Sequence, residues 1–306
     1  MTRNVYVGAA EYMAGTPKPL EYGIKNSEVC TLLRSKPFGL NNFASHESDV
    51  LELILASVKK SLSSSKLEAH NIDAVFLVSN TLDATNSLDV SWLSKFNELT
   101  SLENAVHYNI GMAGCGGFHW AARLAASMIA SNECGNVLIV SFDRGEPPLQ
   151  RLYDGGSNFI YATGDAAASC ILSGSPEEMD FTLIGKVVNV YDGKQIASPS
   201  PENELRTISK LFKDVYNYSD ITPRQIDHFI CNNYSLDVSR LYSQLANVNF
   251  SKTYIDNIAK YAHCFSSDNL INLHSLSAST QLISENRILL FSTGPFQWGA
   301  CILQKL

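Results

Sequence analysis

The chain has 306 residues, 45% hydrophobic and 17% charged, the make-up of a globular protein of one large or two medium domains with a sizeable core. Its formal net charge of −7, with no basic stripe, argues against a nucleic-acid partner, and no apolar run reaches membrane-spanning length. Seven cysteines lie scattered without CxxC pairs or histidines at zinc spacing, and the opening MTRNVYVGAAEYMAG is too interrupted for a signal peptide, so free thiols, no metal site and a cytoplasmic location are expected.

In chain order, DVLELILASVKKSLSSS (49–65) reads as a helix and IDAVFLVSN (72–80) as a strand, followed by a long connection. AVHYNI (105–110) is apolar enough for a strand and HWAARLAASMIA (119–130) is an Ala-rich helix. NVLIVSFD (136–143) and AASCILS (167–173) are strands. The stretch 147–163 between them, with two prolines and the Gly155-Gly156 pair, reads as a mobile loop that gates acceptor entry or merely connects strands. NELRTISKLFKDVYN (203–217) is a helix by its apolar spacing, IDHFICNN (226–233) a strand, DVSRLYSQLA (237–246) a helix. A turn at 261–268 leads into a helix, LINLHSLSAST (270–280), and NRILLFSTG (286–294) and GACILQK (299–305) close the chain as strands. Alternating strands and helices predict an α/β fold.

Cys115 lies in Gly-Met-Ala-Gly-Cys-Gly-Gly-Phe (111–118), between a strand and a helix. A thiol at a helix N-terminus meets the positive end of the macrodipole, which favours the reactive thiolate. Its small neighbours let a substrate carbonyl approach the backbone closely. The competing reading is a buried structural cysteine in a tight turn.

The second half repeats the first. Ile72-Asp73-Ala-Val-Phe parallels Ile226-Asp227-His-Phe-Ile, Asn136-Val-Leu-Ile-Val-Ser-Phe parallels Asn286-Arg-Ile-Leu-Leu-Phe-Ser, and Ala168-Ser169-Cys170-Ile171-Leu172 parallels Gly299-Ala300-Cys301-Ile302-Leu303. Halves 1–174 and 175–306, related by a pseudo-twofold axis, would bring the Cys115 turn against the turn around His263. In isolation His263 reads as a satisfied loop residue; opposite a cysteine it reads as a general base.

With these residues in hand, the chain resembles the thiolase superfamily, and within it the β-ketoacyl-acyl-carrier-protein synthase III proteins, essentially end to end. The Cys115 turn resembles that family's Ala-Cys-Ala-Gly-Phe nucleophile loop, Gly164-Asp165-Ala166-Ala167-Ala168 its Gly-Asp-Gly-Ala-Gly segment, and Gly294-Pro295-Phe296-Gln297-Trp298-Gly299-Ala300 its Gly-Gly-Gly-Phe-Thr-Trp-Gly-Ser signature. The resemblance implies a five-layered αβαβα fold of two duplicated halves, a homodimer, an acyl thioester on Cys115 and an oxyanion hole made by backbone N–H groups of Cys115 and Gly294. It implies no tightly bound cofactor, acyl-CoA or acyl-carrier-protein thioesters as substrates, and a small-molecule or carrier-bound acceptor.

Two slots depart from the condensing enzymes. The slot of the family histidine in His-Gln-Ala-Asn holds Asn232, and the slot of the asparagine in Tyr-Gly-Asn-Thr-Ser holds His263. Tyr261-Ala262-His263-Cys264-Phe265-Ser266-Ser267-Asp268 resembles instead the Gly-His with an aspartate five residues on that marks synthase III-like acyltransferases of secondary metabolism. Cys115, His263, Asp268 and Asn232 are therefore the expected catalytic set, acyl transfer the expected reaction, decarboxylative carbon–carbon condensation its rival, and a non-catalytic partner subunit or binding module a third reading.

The remaining candidates are weaker. His107 and His119 flank the cysteine as structural or rim residues, His119 being the alternative base. Asp165 supports turns. The stretch 11–48 is expected to contribute to the substrate tunnel, with Arg34 and Lys36 its only obvious phosphate contacts for CoA and a solvated charge the competing reading of each; Arg206, Lys210, Lys213, Arg224 and Arg240 either form a local docking patch for an acidic carrier protein or a solvated face.

Overall fold

The computed structural model describes residues 3–80, 90–145, 150–154 and 160–306. In chain order the strands are β1 (Tyr6–Ala14), β2 (Thr16–Pro19), β3 (Asn42–Ser45), β4 (Ala74–Val78), β5 (Val106–Ile110), β6 (Asn136–Asp143), β7 (Leu152–Asp154), β8 (Ile160–Ala162), β9 (Ala166–Ser173), β10 (Phe181–Tyr191), β11 (His228–Ile230), β12 (Arg287–Thr293) and β13 (Gln297–Lys305). The α-helices are α1 (Ser27–Arg34), α2 (Val50–Ser65), α3 (Val90–Thr100), α4 (Gly117–Ala130), α5 (Lys194–Ala197), α6 (Pro201–Ser219), α7 (Leu236–Leu245), α8 (Ile258–Tyr261) and α9 (Asp268–Ser277).

A nine-stranded sheet runs in the order β11-β12-β13-β10-β1-β9-β6-β4-β5. Read outward from the β1–β10 seam, one half runs β1-β9-β6-β4-β5 and the other β10-β13-β12-β11, so β9, β6 and β4 match the counterparts β13, β12 and β11 that the internal sequence repeat predicts, with β1 and β10 as a further pair. The counterpart of β5 is reduced to a single parallel bridge between Phe229 and Thr253. The seam itself holds only two antiparallel pairs, Tyr6 with Thr182 and Val7 with Phe181.

Period-two burial explains the layers. Along β4, Ala74, Phe76 and Val78 join one apolar cluster, while Val75 and Leu77 join another. Along β12, Ile288 and Leu290 face the first cluster, and Leu289 and Phe291 a third. The first cluster includes residues of α4 and α9, which form a buried central helical layer between the two halves of the sheet. α2 and α3 cover the outer face of one half, and α6 and α7 that of the other. The result is the thiolase-like αβαβα sandwich of two duplicated halves.

Several sequence assignments change. β1 and β10, the first strands of the two halves, carry a weak strand signal because glycine, glutamate and lysine interrupt their apolar pattern. The long connection before Cys115 contains α3. The 147–163 stretch is not a plain loop, since β7 and β8 pair in it as an antiparallel hairpin; Pro147, Pro148, Gly155 and Gly156 lie outside the described residues. The strand read over 226–233 ends at Ile230, which frees Cys231 and the residues after it to turn toward the site. No described helix is long and apolar enough to cross a membrane.

Candidate active site

Between β5 and α4 the chain makes a short 3-10 turn, Gly114–Gly116, with Cys115 at its centre. Gly114 has φ +52°, a conformation that a side chain disfavours. A Cβ on Gly117 would lie 2.5 Å from Val78 Cγ1, so only glycine lets α4 start this close to β4. The Cys115 side chain is buried, with 8% of its surface exposed.

The other half delivers the imidazole. Short α8 ends at Ala262, whose φ of +58° turns the chain sharply. His263 is then held at both main-chain ends: its N–H donates to Ala162 O at 3.1 Å and its carbonyl accepts from Gly164 N–H at 2.9 Å. Its Nε2 lies 3.0 Å from Cys115 Sγ, and its Nδ1 lies 2.5 Å from Asp268 Oδ2. The two turns predicted to meet across the pseudo-twofold do meet.

Asp268 opens α9 and is fully buried. Its Oδ1 accepts from Cys264 N–H at 2.7 Å and from Asn233 Nδ2 at 3.2 Å. Its Oδ2 accepts from Asn233 N–H at 2.9 Å as well as from His263. A carboxylate so fixed selects the tautomer with the proton on Nδ1 and aims Nε2 at the sulfur. Burial pushes the His263 imidazole down, but the Cys115 and Asp268 charges and their hydrogen bonds outweigh it and hold His263 up at about 10.

Asn232 sits behind this line. Its Nδ2 donates to Phe265 O at 3.2 Å and to Asp268 Oδ2 at 3.4 Å, and its Oδ1 accepts from Thr293 N–H at 2.9 Å. Both polar atoms of its amide are engaged in the resting structure, where they hold Asp268 and tie the Phe265 and Thr293 backbones together.

Gly294, expected to join Cys115 in an oxyanion hole, has an acceptor for its N–H in the resting structure. The turn joining β12 to β13 closes on itself, so Gly294 N–H donates to Gln297 O at 2.7 Å. The backbone does pass close to the nucleophile, since a Cβ on Gly294 would lie 3.4 Å from Cys115 N.

His119 is fully buried in α4 with Nδ1 2.6 Å from Ser292 Oγ. Burial pushes its pKa down to about 3, a backbone bond to Leu290 opposing. It is a neutral structural residue rather than a rim group. His107 packs edge-on against Phe96. Asp165 receives both Nη atoms of Arg151, at 2.7 and 2.6 Å, and the N–H groups of His46 and Gly145, so it ties loops together as expected. Arg34 is paired with Glu21, Arg206 with Glu202 and Lys210 with Asp214, and Arg240 lies over the Phe250 ring.

Sequence reasoning missed the aromatic lining. The rings of Tyr234, Tyr161 and Phe265 lie 4.2, 5.2 and 5.2 Å from that of His263. Tyr234 was legible in principle, being two residues beyond Asn232 at the end of a strand. Tyr161 follows the residues outside the description and carries no local signal.

Comparison with known proteins gives the family. Residues 111–190 match the family 3-oxoacyl-[acyl-carrier-protein (ACP)] synthase III, and residues 217–305 match its C-terminal family. The β-ketoacyl-[acyl-carrier-protein] synthase III of Rickettsia felis is 24% identical over 273 residues, covering 82% of this chain and 83% of the relative. Among solved structures, ChlB3, titled an acyltransferase, superposes with a TM-score of 0.83 at 14% identity over 99% of this chain and 98% of that one. The 3-oxoacyl-[acyl-carrier-protein] synthase III of Aquifex aeolicus superposes with a TM-score of 0.80 at 16% identity over 99% and 100%. The chain belongs to the synthase III family of the thiolase superfamily.

Proposed function

We propose that the chain is an acyltransferase. It would move an acyl group from an acyl-CoA or acyl-carrier-protein thioester through a Cys115 acyl-enzyme to a small-molecule or carrier-bound acceptor, in secondary metabolism. The observation that carries this reading is the buried line Cys115–His263–Asp268, with 3.0 and 2.5 Å between successive polar atoms.

In the mechanism, the Cys115 sulfur attacks the thioester carbonyl carbon and the carbonyl π pair moves onto oxygen, to which the Cys115 N–H would donate. Collapse restores the carbonyl and expels the donor thiolate, which takes the proton from His263 Nε2. The sulfur is now an uncharged thioester, so one of the charges that held the imidazole protonated is gone. Neutral Nε2 accepts the proton of the acceptor hydroxyl or amine as it attacks. The second collapse returns thiolate and imidazolium.

The names of the matched relatives favour a second reading, decarboxylative condensation. That reaction needs two donors for an enolate, and the Asn232 amide is already committed to Phe265, Asp268 and Thr293. Acyl transfer asks for one imidazole that can give and take a proton, which supports the first reading.

A homodimer fits the same site. β5 is an edge strand with Val106 56% and Tyr108 39% exposed, and Met112 beyond it is 81% exposed. A second copy pairing at this edge would cover it. The halves 1–174 and 175–306 would each supply one wall of the site.

The decisive experiment is single turnover. Wild-type protein is incubated with a panel of acyl-CoAs, intact mass is followed at Cys115, and candidate alcohols and amines are then added. An adduct that forms on Cys115 and discharges onto an acceptor is expected. No adduct with any donor, or an adduct that survives in Cys115→Ala, removes the assignment.

A further inference from the structure

A tetrahedral intermediate at Cys115 places a negative oxygen beside the thiol, and that oxygen needs hydrogen-bond donors. The 293–295 segment, which runs past Cys115 N, has none to give. Thr293 N–H donates to Asn232 Oδ1 at 2.9 Å, Gly294 N–H donates to Gln297 O at 2.7 Å, and Pro295 has no N–H. The Asn232 amide is bonded on both sides. Both His263 nitrogens are in use, one toward Asp268 and one toward the sulfur.

Among the described residues, Tyr234 brings a side-chain hydroxyl beside this stretch. The Tyr234 hydroxyl lies 2.8 Å from Thr293 O, which anchors it next to the stretch that passes Cys115 N. It lies near enough for the Cys115 charge to act on it. Its ring is 4.2 Å from the His263 ring and 4.9 Å from that of Tyr161, and only 4% of the residue is exposed, so the phenol is held in place. Burial, with the nearby Cys115 charge, pushes the phenol well above its usual range, so it keeps its proton at neutral pH.

We propose that the Tyr234 hydroxyl is the side-chain donor to the oxyanion formed at Cys115, sharing that oxygen with the Cys115 N–H. The proposal rests on the acyl-transfer reading. In the resting protein the O–H points at the Thr293 carbonyl. Rotation about one C–O bond redirects it without moving a heavy atom. A developing alkoxide outcompetes a neutral carbonyl as acceptor, because hydrogen bonds to a charged oxygen are about twice as strong. The proton stays on Tyr234 throughout: the S–C bond forms, the donor's C–S bond breaks, and the only proton transferred is that of His263. The reaction thus uses a side-chain donor where the turn after β12 cannot offer a main-chain one.

Tyr234→Phe tests this, because it keeps the ring against His263 and Tyr161 and removes only the donor. Single-turnover acylation by an acyl-CoA, read by intact mass, is expected to slow about 10²–10³-fold, the effect of losing one oxyanion donor. Alkylation of Cys115 by iodoacetamide, read on the Cys115 peptide, forms no oxyanion and is expected to change far less than acylation. Retained alkylation also reports an intact fold. Equal losses in both reactions would assign the hydroxyl to the thiolate or to structure and overturn the proposal, as would an unchanged acylation rate. Failure of the wild-type protein to acylate with any thioester is read without the variant; it removes the acyl-transfer reading and this inference together.

Discussion

Asn232 is bonded to Asp268: its Nδ2 donates to Asp268 Oδ2 at 3.4 Å, while its Oδ1 receives Thr293 N–H at 2.9 Å. The amide therefore steadies the carboxylate that steadies His263. With that amide committed, malonyl decarboxylation is expected to be weak or absent. Carbon dioxide release from malonyl-CoA or malonyl-carrier protein, measured with acylated protein, checks this. Robust turnover would establish condensation instead.

His263→Ala should separate the two half-reactions. Acylation of Cys115 should persist at a reduced rate, because the nucleophile and its turn remain. Transfer to the acceptor should fall about 10²–10⁴-fold, the usual contribution of a general base. Single-turnover kinetics resolve the steps. Normal transfer combined with lower stability would make His263 structural.

Asp268→Asn should shift a pH limb. The His263 imidazolium assists acylation by protonating the leaving thiolate, so the wild-type rate should decline as pH rises through about 10. Removing the Asp268 charge removes part of what holds the proton, so the decline should begin at lower pH. The pH profile of single-turnover acylation reads this, and an unmoved alkaline limb would remove Asp268 from the relay.

The exposed edge at β5 predicts a dimer. Light scattering should give twice the chain mass of 33.6 kDa, and Val106→Glu, which puts a charge on that edge, should shift the protein toward monomer. A wild-type monomer at working concentration would remove the proposed pairing.

His119 predicts an acid sensitivity unrelated to catalysis. Its folded pKa is lowered to about 3, whereas the unfolded imidazole titrates at about 6.5. The unfolded chain therefore binds the extra proton first as pH falls, and the neutral ring's contribution is complete above about 6.5 and lost progressively toward about 3. Between pH 7 and 5 the loss from this one group is about 2 kcal/mol. Denaturant titrations at the two pH values should show a smaller drop for His119→Asn than for wild type.

By itself, the sequence determined the alternation of strands and helices, the duplication and the setting of Cys115 before a helix. Each is carried by residues close together in the chain: apolar runs such as Val137–Val140, repeated segments such as 72–76 and 226–230, and a glycine-flanked cysteine before a helix. β1 and β10 were illegible because they pass along the seam between halves, where partners from distant segments compensate for Gly8, Glu11 and Lys186. Only the tertiary structure decided what each polar atom at the site does. Asn232 and His263 can be assigned to slots from the sequence, but the direction of an amide or the availability of a backbone N–H depends on acceptors tens of residues away. Thr293 and Phe265 engage Asn232, Gln297 takes the Gly294 N–H, and Tyr234 reaches Thr293 across 59 positions of chain. Hydrogen-bond commitment is a property of the assembled pocket, and it is what separates a group that can act on a substrate from one that holds its neighbour.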